Sequence, residues 1–218
     1  MIESIKWHGH GTFCIDGSPQ IVIDPWRISN KSLRPDIILI THEHYDHCSP
    51  ADVEKLRGED TVVIASRTAA EHLDGPVTVL RPWQVINIGR TSIRAVPAYT
   101  FTSHHPARRE DLGYVISRDY TDVYYAGDTD FIPELRDMHC DIAILPVAAR
   151  DGLMSAEAAG EFVRTVSPRY VIPSHIGSGA EGGGVLEANA FEREVSKYTD
   201  VIRLPQAGGS TGDLFAHG

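Results

Sequence analysis

Ile37-Ile38-Leu39-Ile40-Thr41-His42-Glu43-His44-Tyr45-Asp46-His47 is the stretch on which the fold turns. Its four consecutive aliphatic residues read as a buried strand, and the strand runs straight into three histidines and an aspartate. Imidazoles and a carboxylate at the end of a buried strand are metal ligands held on a rigid edge. Neutral imidazole suits Zn²⁺, Fe or Mn, and a carboxylate adds charge compensation and a harder oxygen donor. With 11 histidines in 218 residues, H-x-H-x-D-H arises by chance roughly 0.002 times per chain. A polar loop that merely happens to be rich in histidine is the weaker reading.

The rest of the chain is consistent with one soluble domain spanning 1–218. Its composition, 42% hydrophobic and 23% charged, is ordinary for a globular protein. A formal charge of −10 argues against general affinity for nucleic acid or an anionic membrane, because both depend on Lys and Arg neutralising phosphates. Cys14, Cys48 and Cys140 are odd in number and widely spaced, as expected of reduced thiols in the cytoplasm. The N-terminus does not resemble a signal peptide, and no apolar run approaches the ~18 residues needed to span a bilayer.

Short strands are expected at residues 4–7, 12–15, 20–23 and 37–40, punctuated by turn signals at Gly17-Ser18-Pro19 and Asp24-Pro25. Ser49-Pro50 opens a short helix over 52–56, and Ser66 begins another over 68–73. A second strand-rich block covers 77–80, 84–88, 92–97, 113–117 and 123–126. Beyond it come a strand at 142–145, an amphipathic helix at 155–166 capped by Ser155, a strand at 170–172, a helix at 187–198 and a strand at 201–204. Five glycines between Gly177 and Gly184 mark a loop at the edge of a site. Two blocks of strands with helices outside suggest a sandwich of sheets.

More donors are expected at the ends of other strands. His105 sits before Pro106, which favours extended backbone and projects the side chain, with His104 the alternative. Tyr124-Tyr125-Ala126-Gly127-Asp128 is a strand that stops at Gly-Asp, where glycine permits a close backbone approach and Asp128 offers two oxygens to bridge two ions. Val171-Ile172-Pro173-Ser174-His175 again leads a strand into a histidine. Each is weak alone; their order along the chain gives them weight.

On these residues the sequence resembles the metallo-β-lactamase fold superfamily over nearly its whole length. Gly9-His10-x-x-Phe13, Ile23-Asp24-Pro25, His105-Pro106, Leu145-Pro146-Val147 and Ser155-Ala156-Glu157-Ala158-Ala159 are similar to its compact branch of metal-dependent hydrolases, related to ascorbate-6-phosphate lactonase. The resemblance implies an α/β (α+β) fold, a four-layer αββα sandwich of two mixed sheets flanked by helices, with two metals at one edge. By the same resemblance His42, His44 and His105 hold the first metal. Asp46, His47 and His175 hold the second, and Asp128 bridges them. Zinc is the foremost metal, with Mn or Fe as alternatives.

The chemistry so implied is hydrolysis. A hydroxide bridging two cations attacks an ester-type bond, foremost a lactone or another cyclic or phosphorylated small-molecule ester. Asp46, Asp128 and His175 are the catalytic candidates. Arg108, Arg109, His10, Tyr99 and Thr129 are candidate substrate contacts, the arginines through forked donors to an anion. A metal-dependent phosphodiesterase or nuclease and a non-catalytic metal-loaded binding module are the alternatives. A small molecule is the expected partner, with no nucleic acid and no membrane; a homo-oligomer is left open. H-E-x-x-H and the P-loop are absent.

Overall fold

The computed structural model describes residues 1–30, 33–147, 153–176 and 185–207. The glycine-rich loop between Gly177 and Gly184 lies outside the described residues.

The first sheet is assembled from β1 (Ile5–Gly9), β2 (Thr12–Ile15), β3 (Ile21–Ile23) and β4 (Ile37–Ile40). It is completed, after α1 (Pro50–Leu56), by β5 (Val62–Ala65) and, after α2 (Arg67–Ala70), by β6 (Thr78–Val79). The strands lie in chain order, antiparallel through β3 and parallel from β3 onward. The second sheet holds β7 (Val85–Ile88), β8 (Thr91–Pro97), β9 (Leu112–Arg118), β10 (Thr121–Tyr125) and β11 (Ile142–Pro146). β12 (Tyr170–Ser174) and β13 (Asp200–Val201) continue it, separated from the preceding strands by α3 (Ala156–Val166) and α4 (Val185–Val195). It too is mixed: antiparallel through β10, parallel from β10 to β13.

Alternation along the strands builds the layers. Ile37 and Leu39 face Phe13, Ile23, Leu112, Tyr114 and Tyr125 between the two sheets. Ile38 and Ile40 turn outward onto Val53, Leu56 and Ala69 from α1 and α2. On the second sheet, Val115, Tyr124 and Leu145 pack outward against Phe162, Val163 and Phe191 of α3 and α4. A strand covered on both faces has no solvent side, so it reads as a continuous apolar run. The result is the expected αββα sandwich. Ser49, Ser66 and Ser155 each cap their helix through the hydroxyl.

Most element ends shift by one or two residues. One of the extensions is β12, which runs through Pro173 to Ser174. Pro173 pairs with Leu145 on one side, while β13 reaches only Val171 on the other, so the missing N–H faces no ladder partner. Among the described residues, no helix is long and apolar enough to cross a membrane.

Candidate metal centre

The ends of β4, β10 and β12 and the connection from β8 to β9 meet at one rim of the two sheets. Leu112 N–H donates to the Thr41 carbonyl (3.1 Å) and Tyr114 Oη to the Ile40 carbonyl (2.7 Å), which locks the second sheet to the end of β4. The connection is itself closed at its base by Ala98 N–H donating to the Asp111 carbonyl (2.9 Å). Donor atoms of His42, His44, His105 and Asp128 lie within 4.8 Å of one another, and those of His10, His47 and His175 form a second such group. Asp128 joins the groups. Its Oδ2 faces His105 Nε2 (3.5 Å) and His42 Nε2 (3.9 Å), and its Oδ1 faces His175 Nε2 (3.0 Å) and His47 Nε2 (3.3 Å).

Each of these imidazoles is held from behind. Thr41 Oγ1 donates to Asp24 Oδ2 (2.7 Å), so it can only accept from His42 Nδ1 (2.9 Å), which leaves a lone pair on His42 Nε2. His47 Nδ1 donates to Asp24 Oδ2 (2.7 Å) and His105 Nδ1 to Asp111 Oδ2 (3.3 Å). His175 Nδ1 lies 3.2 Å from Ser174 Oγ. At His42, His47 and His105 the partner of Nδ1 sets the tautomer, and at all four it sets the direction of Nε2, as metal-ligating histidines require.

The inward atoms test the fit of a cation. His42 Nε2, His105 Nε2 and Asp128 Oδ1 are buried without a hydrogen-bond partner. Orphaned buried polar atoms are costly, about 1–3 kcal/mol each, and these converge. His47 Nε2 and His175 Nε2 stand 3.1 Å apart, close enough to share a proton or a cation between them. Imidazoles with one carboxylate are a donor set for a divalent cation, and the two groups they form here are candidate metal sites.

Burial drives the charge pattern. It pushes His42 well below its ordinary value and, with His105 beside it, holds His44 down at about 4. At His47 burial is outweighed by Asp128 and Asp24, which raise it to about 10. Burial likewise opposes ionisation of Asp128, yet His47 and His175 keep its carboxyl well below the usual range.

The sequence candidates fall out unevenly. His105 is fully buried in the cluster, while His104 is exposed and rests on the His44 ring at 4.9 Å. Asp46 is turned toward His10, with Oδ2 2.9 Å from His10 Nε2, and sits beside rather than inside the second group. That contact, working against burial, brings the Asp46 carboxyl down to about 2. Gly127 has φ +64°, and a Cβ there would lie 2.9 Å from the Leu112 carbonyl. Glycine is therefore required by the turn that delivers Asp128 rather than by approach to a metal. Thr129 Oγ1 is engaged with the Tyr99 and Asp130 backbone, and Tyr99 Oη donates to Glu134 (2.8 Å). Arg108 is exposed, and Arg109 is paired with Glu43 and Asp111.

Asp24, Asp111, Thr41 and Ser174 carry the imidazoles and were not singled out as site residues. Asp24 entered the sequence reading only as the turn signal Asp24-Pro25, and Thr41 and Ser174 only as neighbours of His42 and His175. His10, Asp24 and His175 all adopt positive φ (48°, 45° and 59°). Such backbone costs about 1–3 kcal/mol per residue and gathers where function fixes it. The fully buried aliphatic rows of β3 and β4, at about 1.5–3 kcal/mol per side chain, offset it.

A family described as the beta-lactamase superfamily domain matches residues 4–175. The chain belongs to the beta-lactamase superfamily. Relatives in this superfamily include a UPF0173 metal-dependent hydrolase of Thermoplasma acidophilum, 30% identical over 193 residues, 80% of this chain and 84% of the relative. A crystal structure of a protein described as a metal-dependent hydrolase from Parabacteroides distasonis superposes with TM-score 0.80 at 31% identity, covering 92% of this chain and 91% of that one. A metallo-beta-lactamase fold protein from Bacillus subtilis shares the fold at TM-score 0.69 and 14% identity, over 89% and 88% of the two chains.

Proposed function

We propose that the protein is a metal-dependent hydrolase that holds two divalent cations, zinc foremost and Mn or Fe as alternatives, and cleaves small-molecule esters, lactones first among them. The observation that carries this reading is the division of Asp128, one carboxylate oxygen toward His42 and His105 and the other toward His47 and His175. His42, His44 and His105 would hold one cation and His47, His175 and Asp46 the other. Divalent cations in such a site lower the pKa of water toward neutrality and stabilise charge developing on a carbonyl oxygen.

The chain's own groups do the remaining work. Asp46, kept ionised, would accept a hydrogen bond from water at the rim and so orient it, and His10 fixes the direction of the carboxylate. Burial lowers the His10 imidazole, so it is neutral at neutral pH and steers Asp46 by a hydrogen bond.

An aromatic rim supports a carbon-rich substrate. Tyr45 and Phe101, 60% and 67% exposed, stand on the two ligand-bearing loops. Trp26 bridges Tyr45 (5.9 Å between centroids) and His10 (5.2 Å). Apolar walls beside a few convergent polar groups are the usual form of a small-molecule site. A phosphodiester chain would call for a basic track, which a net charge of −10 and the pairing of Arg109 do not favour. Three free, buried cysteines support a reducing, cytoplasmic location.

The test is elemental analysis of protein purified without chelator, followed by assays with γ- and δ-lactones, p-nitrophenyl acetate and bis(p-nitrophenyl) phosphate. About two equivalents of metal and hydrolysis of the carboxylic esters are expected, with Asp128→Ala losing both. A metal-replete, fully active Asp128→Ala enzyme, or two bound equivalents with no ester cleaved, overturns the reading.

A further inference from the structure

Arg109 has a place in the site other than the substrate anchor its sequence position suggests. A short 3₁₀ turn, Ala107–Arg109, ends at Glu110 in the left-handed region (φ +58°), and the chain doubles back so that Asp111 lies under Arg109. Arg109 Nε donates to Asp111 Oδ2 at 3.1 Å, and Nη2 stands 3.0 Å from Glu43 Oε1. Asp111, buried, accepts from His105 Nδ1 on the same oxygen (3.3 Å) and from Thr68 Oγ1 on the other (3.3 Å). Glu43 sits in the chain between His42 and His44. One guanidinium therefore ties the loop carrying His42 and His44 to the loop carrying His105.

We infer that Arg109 is a positioning residue for one cation of the pair, the one assigned to His42, His44 and His105; this rests on the two-cation reading above. The planar guanidinium hydrogen-bonds Asp111 through Nε and ion-pairs with Glu43 through Nη2, so it draws both carboxylates toward one group. It also compensates the charge of Asp111, a buried anion. The second group has different anchors, Asp24 behind His47 and Ser174 behind His175. Loss of Arg109 thus loosens one position and spares the other. A substrate anchor would instead change KM and leave both metal affinities alone.

The experiment is a Zn²⁺ titration of metal-stripped full-length protein against a chromogenic chelator. Wild type is to show two equivalents. Arg109→Ala is expected to weaken one of them about 10–100-fold, the usual effect of removing a group that orients a ligand, while the other stays within about twofold on the same scale. Arg109→Lys keeps the charge without the fork and falls in between. Asp111→Asn reproduces the loss, and the double variant Arg109→Ala/Asp111→Asn is no worse than Asp111→Asn alone, because Arg109 acts through Asp111. Arg67→Ala, which breaks an exposed pair with Glu71, leaves both equivalents unchanged. Should Arg109→Ala not fold by circular dichroism, Arg109→Lys and Glu43→Gln decide on the same criterion. Two unchanged equivalents with a raised KM, or an equal fall in both, overturn the inference. A wild type binding fewer than two equivalents refutes the two-cation reading, and the inference with it.

Discussion

Asp24 shows how much of a site can rest on one buried carboxylate. Its Oδ1 accepts from Thr41 N–H (2.8 Å), and its Oδ2 accepts from Thr41 Oγ1, His47 Nδ1 and, at 3.0 Å, Tyr125 Oη. Through His47 it addresses one group of ligands and through Thr41 and His42 the other. Asp24→Asn sets an amide N–H against either the Thr41 or the His47 donor. Facing His47 Nδ1–H, it drives the proton to Nε2, where a cation would bind. The expected outcome is that both metal equivalents weaken, by about 10–100-fold, with a stability loss of about 1–3 kcal/mol from the unpaired buried donors. Competition with a chelator and chemical denaturation measure the two effects; unchanged affinity at either position counts against this role. His42 to His47 were legible because they crowd six positions. Asp24 was not, because its partners lie 17 and 23 residues away and only the β3–β4 pairing brings them together. The tie between Arg109 and Glu43 was hidden for the same reason, since the two sit on different loops.

At the scale of elements, the sequence was most readable where a single physical rule decided the outcome. Ile37–Ile40 had to be a strand covered on both faces, and each of its side chains is fully buried. Ser155 had to cap α3, and its Oγ accepts from Ala158 N–H at 3.1 Å. Removing that acceptor in Ser155→Ala is expected to cost about 0.5–2 kcal/mol. A chain of this size shifts by about 2–4 °C per kcal/mol, so calorimetry should find a lower Tm with metal stoichiometry unchanged. An unaltered Tm would assign α3 to the packing of Phe162 and Val163 alone. Boundaries were less legible where neighbours rather than propensity set them. β12 continues past Pro173 only because β13 stops short of it, and the last strand is two residues long because its pairing ends at Val201.

For the whole molecule, the two sheets meet along an apolar interface, yet the proposed ligands come from both. His42, His44, Asp46 and His47 follow β4 of the first sheet, while His105, Asp128 and His175 extend from the second. Cations bound there would staple the sheets at one rim, across a boundary that the interior side chains already close from within. A ligand that binds only the folded state stabilises it by mass action, about 2.7 kcal/mol at a free concentration 100 times Kd. With the size scaling used for α3, removing metal with a chelator should lower Tm by roughly 5–10 °C. Restoring Zn²⁺ should recover it, and excess Zn²⁺ should raise it further with the logarithm of concentration. Because the staple joins the sheets, hydrogen exchange should speed up on metal removal at the backbone bonds that cross between them, Leu112 N–H to Thr41 above all. The bond from Ala126 N–H to Ile144, which lies within the second sheet, should be spared. A Tm indifferent to chelator and metal alike would mean that the rim is held by its hydrogen bonds alone, and that the histidines converge without a cation to bind.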